Sequence, residues 1–304
     1  MTSSAPGAPR RLRTGQTRTL LLASALILPS IMIIFGVIIY PLLRALYLSL
    51  FEYSLTKVSH PFIGLGNYAH ILSTPAFWAS IERTLYFTLV STAAELVLGL
   101  LVALLLNQEF YGRGVLRALI IIPWALPTMV NGMMWRWIDN ADYGALNALL
   151  TQLHLIPEYR PWLSTPMSAM NMVIIADVWK MTPLVTLLIL ASLQTIPRSL
   201  YESSSLDGAG RWRTFWSIVF PYLKPTILIV LVVRTMEAFK VFDIIFMMTR
   251  GGPANGTLTV AYYTYVEAFS NLQLGSGAAL SYLIALFILG FAMIYVRLLQ
   301  TGDN

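Results

Sequence analysis

The charged side chains in this sequence are few, and the most telling of them lie inside long apolar runs. Arg234, Glu237, Lys240 and Asp243 follow one another at i+3 spacing with alternating sign; Asp177 and Lys180, also three apart, bracket Trp179. Glu95 stands alone in its run, and Asn131 follows Pro123 and Pro127 in another. Helical neighbours at i+3 share a side and can pair. An ionisable group in hydrocarbon costs on the order of a few kcal/mol, so it faces a partner, a bundle interior or a water-filled cavity. Two readings stand for this set: a charge ladder that neutralises itself against adjacent helices, or groups lining a pathway. Glu95 reads as a paired structural acid in preference to a proton relay. Over nine residues at about 100° each the Arg234–Asp243 stripe turns by half a circle, so the four are not expected all to face one lumen.

The elements that carry these groups follow from composition. With 57% apolar and 11% charged residues the chain falls in the membrane class. The charge-free runs Thr19–Leu43 and Ala268–Val296 each exceed the ~20 residues that cross a ~30 Å hydrocarbon core as helix. Six spans are expected, at about 20–43, 84–106, 116–138, 169–193, 222–248 and 276–299, in an all-α integral membrane protein. Residues 1–19, with Arg10, Arg11 and Arg13, read as a flexible cytoplasmic arm, 20–299 as one membrane domain, and 300–304 as a cytoplasmic tail. The first apolar run continues through Pro41 to Leu43, longer than a cleaved leader requires, so it reads as a retained span.

Lys and Arg fix the orientation. Eleven (Arg10, Arg11, Arg13, Arg18, Arg113, Arg117, Arg198, Arg211, Arg213, Lys224, Arg297) fall on the side of the N-terminus and five (Arg44, Lys57, Arg83, Arg160, Arg250) on the other. The positive-inside rule places both termini, and the 198–221 segment, in the cytoplasm. Outer segments 52–82 and 139–168 carry Gly64, Gly66, Pro75, Pro157, Pro161 and Pro166 with Trp78 and Trp162, as expected of folded loops with aromatic interface anchors. Gly251-Gly252-Pro253 predicts a turn where the fifth span ends, and Pro123 and Pro127 predict a kink in the third.

Several classes of chemistry are excluded. Without cysteine there is no disulfide, thiolate metal site or Cys nucleophile, and His60, His70 and His154 lie apart in loops, so no metal site is expected. No catalytic constellation facing a lipid substrate is visible, which ranks a membrane-embedded enzyme or scaffold last. The net charge of +6 is scattered in short clusters without a nucleic-acid-binding motif. None of the four lysines, Lys57, Lys180, Lys224 and Lys240, follows a phosphate-cradling G-x-x-x-x-G, so the chain itself is not expected to hydrolyse ATP or to hold a cofactor.

The inside segment has its own pattern. Pro197 fits a helix start, Arg198–Leu206 forms about two turns, and Gly208 and Gly210 can take the left-handed conformation that ends them. A second helix from about Trp212 is expected to run to Pro221. Glu202, Ser203, Ser204, then Gly208, Ile218 and Pro221 resemble the E-A-A-x3-G-x9-I-x-L-P signature of permease subunits of bacterial ABC importers, with serines for the alanines and Phe220 for the leucine. Further segments resemble the sugar branch typified by maltose and glycerol-phosphate importers: Phe62–Tyr68, Pro123–Pro127, Asp177–Pro183, and Phe242–Ile245 through Asn255. Among these, importers of trehalose of the maltose type are the most specific resemblance.

The resemblance covers nearly all of residues 20–299 and implies the type I importer permease fold in a bacterial inner membrane. It implies a second, similar permease subunit, a dimeric cytoplasmic ATPase binding ATP and Mg, and an extracytoplasmic solute-binding protein docking on 52–82, 139–168 and 250–274. Glu202, Ser203, Ser204, Asp207, Gly208, Gly210 and Arg211 would form the loop that docks on the ATPase and transmits closure. For a sugar, carboxylates and amides would hydrogen-bond hydroxyls while aromatic faces stack on the ring; Asn131, Asp177, Trp179, Lys180, Glu237 and Lys240 are the candidates. The absence of a tight Arg cluster in the spans argues against a phosphate ester. The competing class is an ion-coupled transporter or channel using Glu95, Asp177 or the fifth-span charges as proton carriers.

Overall fold

The computed structural model describes residues 12–301. Every named element is helical, and among the described residues the one isolated bridge pairs Phe51 with Phe62. α1 (Leu12–Ile33) passes through a wide π turn, Ile34–Ile39, into α2 (Tyr40–Ser49). Residues 12–19, read from sequence as part of a flexible arm, are thus helical and continuous with the first span; residues 1–11 and 302–304 lie outside the described residues. A short α3 (Gly66–Ser73) leads to α4 (Pro75–Asn107), which starts at Pro75 because the missing N–H of proline is no loss in a first turn. Then come α5 (Arg113–Ala125), α6 (Thr128–Ile138), α7 (Ala145–Gln152) and α8 (Pro166–Leu193). The chain continues through α9 (Arg198–Leu206), α10 (Arg211–Thr214), α11 (Phe220–Phe239), α12 (Asp243–Met248) and α13 (Val260–Tyr265) to α14 (Leu274–Thr301).

Among the described residues five helices are long and apolar enough to cross a bilayer, and the bent pair α5–α6, taken as one broken span, brings the number to the six expected. The third span is not kinked but broken, by 95°. Leu126 is extended, as a residue before proline prefers, and Pro127 holds an extended ψ before α6 begins. The fifth span also departs from expectation. It begins at Arg211 and runs through a π turn (Phe215–Val219) into α11 with no stop at Pro221, then ends at Phe239, with α12 as a separate short helix. A π turn shifts the hydrogen-bond register by one residue, which lets a proline follow it in an unbroken rod. The Gly251-Gly252-Pro253 turn therefore ends α12 and not the span.

The packing mixes apolar and polar burial. The buried side of α4 carries Ser80, Thr84, Thr88, Ser91, Thr92, Glu95 and Gly99 between Phe77, Ile81 and Phe87 at one end and Ala103 and Leu106 at the other, whereas Leu89, Val97, Leu98, Leu101 and Leu105 are exposed. In lipid the leucines have no reason to turn inward, and the small and polar side chains do. α8 lies at the centre with Ala169, Val173, Ala176, Val185 and Ile189 fully buried, its main neighbours being α4, α5 and α11. Gly132 in α6 lets α12 cross closely, since a Cβ there would meet Met247 Cβ at 2.7 Å. By contrast the Leu22–Ser49 span buries nothing in its most apolar stretch and rests mainly on α14, where Tyr282 Oη donates to Leu42 O at 2.6 Å.

The outer segment 139–168 is stitched by Asn147, whose Nδ2 donates to Asn140 O and Arg160 O and whose Oδ1 accepts from Arg160 N and Trp162 Nε1. Trp162 is accordingly a packed structural residue and not an exposed interface anchor, while Trp78 is half exposed. Asp139, at the outer end of α6, is buried with neither carboxylate oxygen partnered among the described residues, and burial pushes its carboxyl up to about 7. A carboxyl whose folded value lies above its unfolded one weakens the fold when ionised. That cost is absent well below pH 4 and grows until the pH passes about 7. Asp139→Asn is therefore expected to raise the melting temperature of the detergent-solubilised chain at pH 8, and by less than half as much at pH 5; an equal gain at both would show that ionisation is not the cause.

Candidate functional site

Arg234, in the last turns of α11, is 3% exposed and gathers three carboxylates from three helices. Its Nε and Nη2 fork onto Glu95 of α4 at 2.5 and 2.7 Å, Nη2 also reaches Asp177 of α8 at 3.0 Å, and Nη1 reaches Glu237 at 2.9 Å. A planar guanidinium suits this task because its donors are set in a rigid fork. Glu95 is thus the paired acid expected from sequence. Its partner lies 139 residues away.

The hub borders a cavity of about 430 Å³. Asp177, Arg234 and Glu237 are shared with the hub; Lys180, Lys240 and Asp243 also line it, with the rings of Trp124 and Phe242. Within 4 Å, the salt bridges of the described residues leave Lys180, Lys240 and Asp243 out, and none of the three makes a side-chain hydrogen bond. The charges therefore divide by role: one part neutralises itself and joins α4, α8 and α11, and the other keeps donors and an acceptor free beside two aromatic faces.

All four members of the Arg234–Asp243 stripe reach this cavity, which corrects the half-turn expectation. The helix stops at Phe239, and residues 240–242 fold the chain back so that Asp243 returns to the side from which a continuous helix would have carried it. Asp177, Lys180, Glu237 and Lys240 are brought together as sequence suggested. Asn131 and Trp179 are placed elsewhere. Asn131 is buried with Nδ2 donating to Ala176 O at 3.2 Å, which ties α6 to α8. Trp179 stands edge-to-face with Trp135 at 6.0 Å and lines an apolar groove of about 850 Å³ between α4, α5 and α8. The aromatic face in the cavity comes instead from Trp124, at the break of the third span, and from Phe242. The P-W-A-L-P run was visible in sequence, and a ring beside a prolyl break was the available signal for Trp124.

In the 198–221 segment α9 spans Arg198–Leu206, the expected register. Gly208 has φ +71° and receives the end of the helix: Ala209 N–H donates to Ser204 O and Gly208 N–H to Ser205 O, the double bond of a Schellman stop. Gly210 is extended (φ −69°, ψ 165°) and not left-handed; it serves as the cap residue of α10. Of the two serines in the alanine positions, Ser204 is buried, its Oγ 2.8 Å from Thr214 Oγ1, so it joins α9 to α10. Leu200 and Tyr201 pack inward against Leu193, Ile196 and Val219. Glu202, Ser203, Asp207, Gly208 and Arg211 are exposed, and Leu206 is 87% exposed at the tip. Arg198 pairs with Glu109 at 3.0 Å, but both side chains are so exposed that the pair contributes at most about 1 kcal/mol.

A helical bundle with apolar spans, one of them broken, and a charged cavity between them defines a multi-pass membrane protein. Residues 95–301 match the family described as the binding-protein-dependent transport system inner membrane component, and the chain belongs to that family. It is 41% identical to the trehalose/maltose transport system permease protein MalF of Thermococcus litoralis over 275 residues, 90% of this chain and 91% of that one. It is 38% identical to the sulfoquinovosyl glycerol transport system permease protein SmoG of Agrobacterium fabrum, over 93% and 92% of the two chains. A bacterial alginate ABC transporter, solved in complex with a periplasmic protein carrying an alginate pentasaccharide, contains a chain that superposes with a TM-score of 0.81 at 21% identity, over 94% of this chain and 96% of that one. That likeness establishes the fold, an importer permease of type I. The chain is a membrane component of a transport system and not an enzyme.

Proposed function

We propose that this chain forms one half of the pore of an ATP-driven importer for a neutral disaccharide, with trehalose or maltose the specific candidates, and works by alternating access. The observation that carries the reading is the cavity in which Lys180, Lys240 and Asp243 remain free of ion pairs beside Trp124 and Phe242. Ammonium donors and a carboxylate acceptor suit paired hydroxyls, and ring faces suit the apolar side of a pyranose. The cavity's cations and carboxylates are equal in number, Lys180, Arg234 and Lys240 against Asp177, Glu237 and Asp243, which suits an uncharged ligand better than a sulfonate or phosphate. The trehalose/maltose permease relative supports the same class.

In this reading a second permease of the same family completes the pore, two copies of an ATPase lie beneath, and a solute-binding protein delivers the sugar from outside. ATP binding closes the ATPase pair and draws α9 and its counterpart together. The half-spans around the α5–α6 break then turn the cavity outward, and hydrolysis resets it. Leu206, Glu202 and Asp207 on the outer side of α9 are the contacts, with Gly208 allowing the sharp exit.

The test is uptake of labelled trehalose and maltose by proteoliposomes holding the whole complex. Lys240→Ala and Asp243→Ala are expected to lower uptake at least tenfold with the complex isolated in normal yield. Unchanged uptake in both would remove the cavity from the pathway.

A further inference from the structure

The turn that folds the fifth span back is also a wall of the Lys180–Asp243 cavity, which residues 240–244 line in an unbroken run. Lys240-Val241-Phe242 has neither glycine nor proline to fix its shape locally, so the fixing comes from elsewhere in the fold. Two contacts from the α13 region reach it. The ring of Phe242 lies against Tyr262 and Tyr265, with centroids 5.8 and 5.1 Å apart. Thr259 Oγ1 donates to Val241 O at 3.1 Å, beyond the end of α11, where a continuing helix would have supplied the donor. Thr259 departs from the habit of its position. It is the cap residue of α13 and fully buried, and a threonine there ordinarily turns its oxygen to a first-turn N–H of its own helix. It makes no such bond. The N–H of Val260 is instead taken by Thr84 Oγ1 of α4 at 2.8 Å, which ties the start of α13 to a long span while the Thr259 hydroxyl serves the turn.

We infer that Thr259 is a positioning residue for the sugar site: through Val241 O it holds the 240–243 turn so that Lys240, Phe242 and Asp243 are presented to the ligand together. It is not among the residues that line the cavity, so it acts through the turn and not on the sugar. A binding constellation works only when the residues behind it hold it to within about 0.5 Å. Without the hydroxyl the turn keeps the Phe242 stack but loses the bond that fixes its backbone, and the two charged side chains lose their common frame. Capping of α13 is not at stake, because the hydroxyl caps nothing in that helix. The inference rests on the proposed reading of this cavity as the sugar site.

The experiment uses proteoliposomes holding the whole complex with saturating sugar-loaded binding protein, and reads labelled trehalose and maltose carried per ATP hydrolysed. That ratio is blind to the number of intact complexes, so a loss of stability alone does not move it. Thr259→Val, which keeps the shape and removes the hydroxyl, is expected to lower the ratio at least threefold with the complex isolated in normal yield. Thr259→Ser restores the donor and is expected to stay within about twofold of wild type. Thr257→Val removes a hydroxyl of the same segment that donates to Gly252 O and not to the turn; it is expected to lower the melting temperature and leave the ratio unchanged. Lys240→Ala, run beside them, is expected to lower the ratio about tenfold. A wild-type ratio in Thr259→Val beside a lowered one in Lys240→Ala overturns the inference and leaves the cavity in the pathway. Loss of the complex in Thr259→Val, or an equal fall in Thr257→Val, would make Thr259 a residue of the fold alone and overturn it as well. A wild-type ratio in Lys240→Ala sinks the reading of the cavity, and the inference with it, whatever the Thr259 variants do.

Discussion

Arg234→Ala is expected to abolish assembly of the permease and not merely to slow uptake. The guanidinium donates two hydrogen bonds to Glu95, and Glu95 has no exposed surface. Removing one member of a buried pair leaves the other uncompensated, at roughly 3–5 kcal/mol, and here a second buried carboxylate, Asp177, loses its contact as well. Arg234→Lys should rescue only in part, because one ammonium cannot reproduce the fork onto Glu95 and the bonds to Asp177 and Glu237 together. Glu95→Gln keeps one acceptor for the fork but turns an amide N–H toward a guanidinium N–H, so it loses one of the two bonds and should still be milder than Arg234→Ala, because it leaves no buried charge without a partner. The measurement is the yield and melting temperature of the complex extracted from membranes. Normal assembly of Arg234→Ala would show that the hub does not hold α4, α8 and α11 together. Asp177→Ala belongs with this group, since its carboxylate is engaged by the hub, whereas Asp243→Ala should assemble and fail only in transport.

The second large effect is expected at the other end of the pathway. Gly208→Arg should leave the chain inserted yet lower uptake and binding-protein-stimulated ATP hydrolysis by about a hundredfold. A side chain at Gly208 meets nothing within 4 Å, so the fold itself does not object to its size. The cost to the chain is the left-handed backbone, roughly 1–2 kcal/mol for a residue with a Cβ. What changes is the surface: a long cation would project beside Glu202, Leu206 and Asp207, where α9 meets the ATPase in the proposed complex. Gly208→Ala bears the backbone cost without the bulk and should retain most activity. If Gly208→Arg complexes kept normal ATPase association and uptake, α9 would not be the docking element.

These two regions differ in how far sequence alone could describe them. The register of α9 was legible because its limits are set locally, by Pro197 at one end and Gly208 at the other. The break after Phe239 was not, because Lys240-Val241-Phe242 contains neither proline nor glycine; the chain turns there for tertiary reasons, and the half-turn argument assumed a helix that does not continue. The third span announced a bend through Pro123 and Pro127, but not that its two arms would lie 95° apart. Glu95 could be read as a paired acid from the cost of burying it alone, while nothing in the local pattern named Arg234 as its partner. Trp179 was assigned to the cavity from its neighbours in sequence. On a helix a residue next to Lys180 points about 100° away from it, and the ring belongs to the opposite groove.

The distance along the chain between Glu95 and Arg234 has a consequence for how the protein is made. α4 leaves the ribosome 139 residues before the cation that neutralises its carboxylate. Through that interval it carries a burden on the order of 3 kcal/mol against release into lipid. The first span has no such burden, since its apolar stretch owes nothing to its neighbours. The first helix thus enters the bilayer owing nothing to later segments, whereas the carboxylate of α4 has no countercharge from Arg234 until α11 has been made.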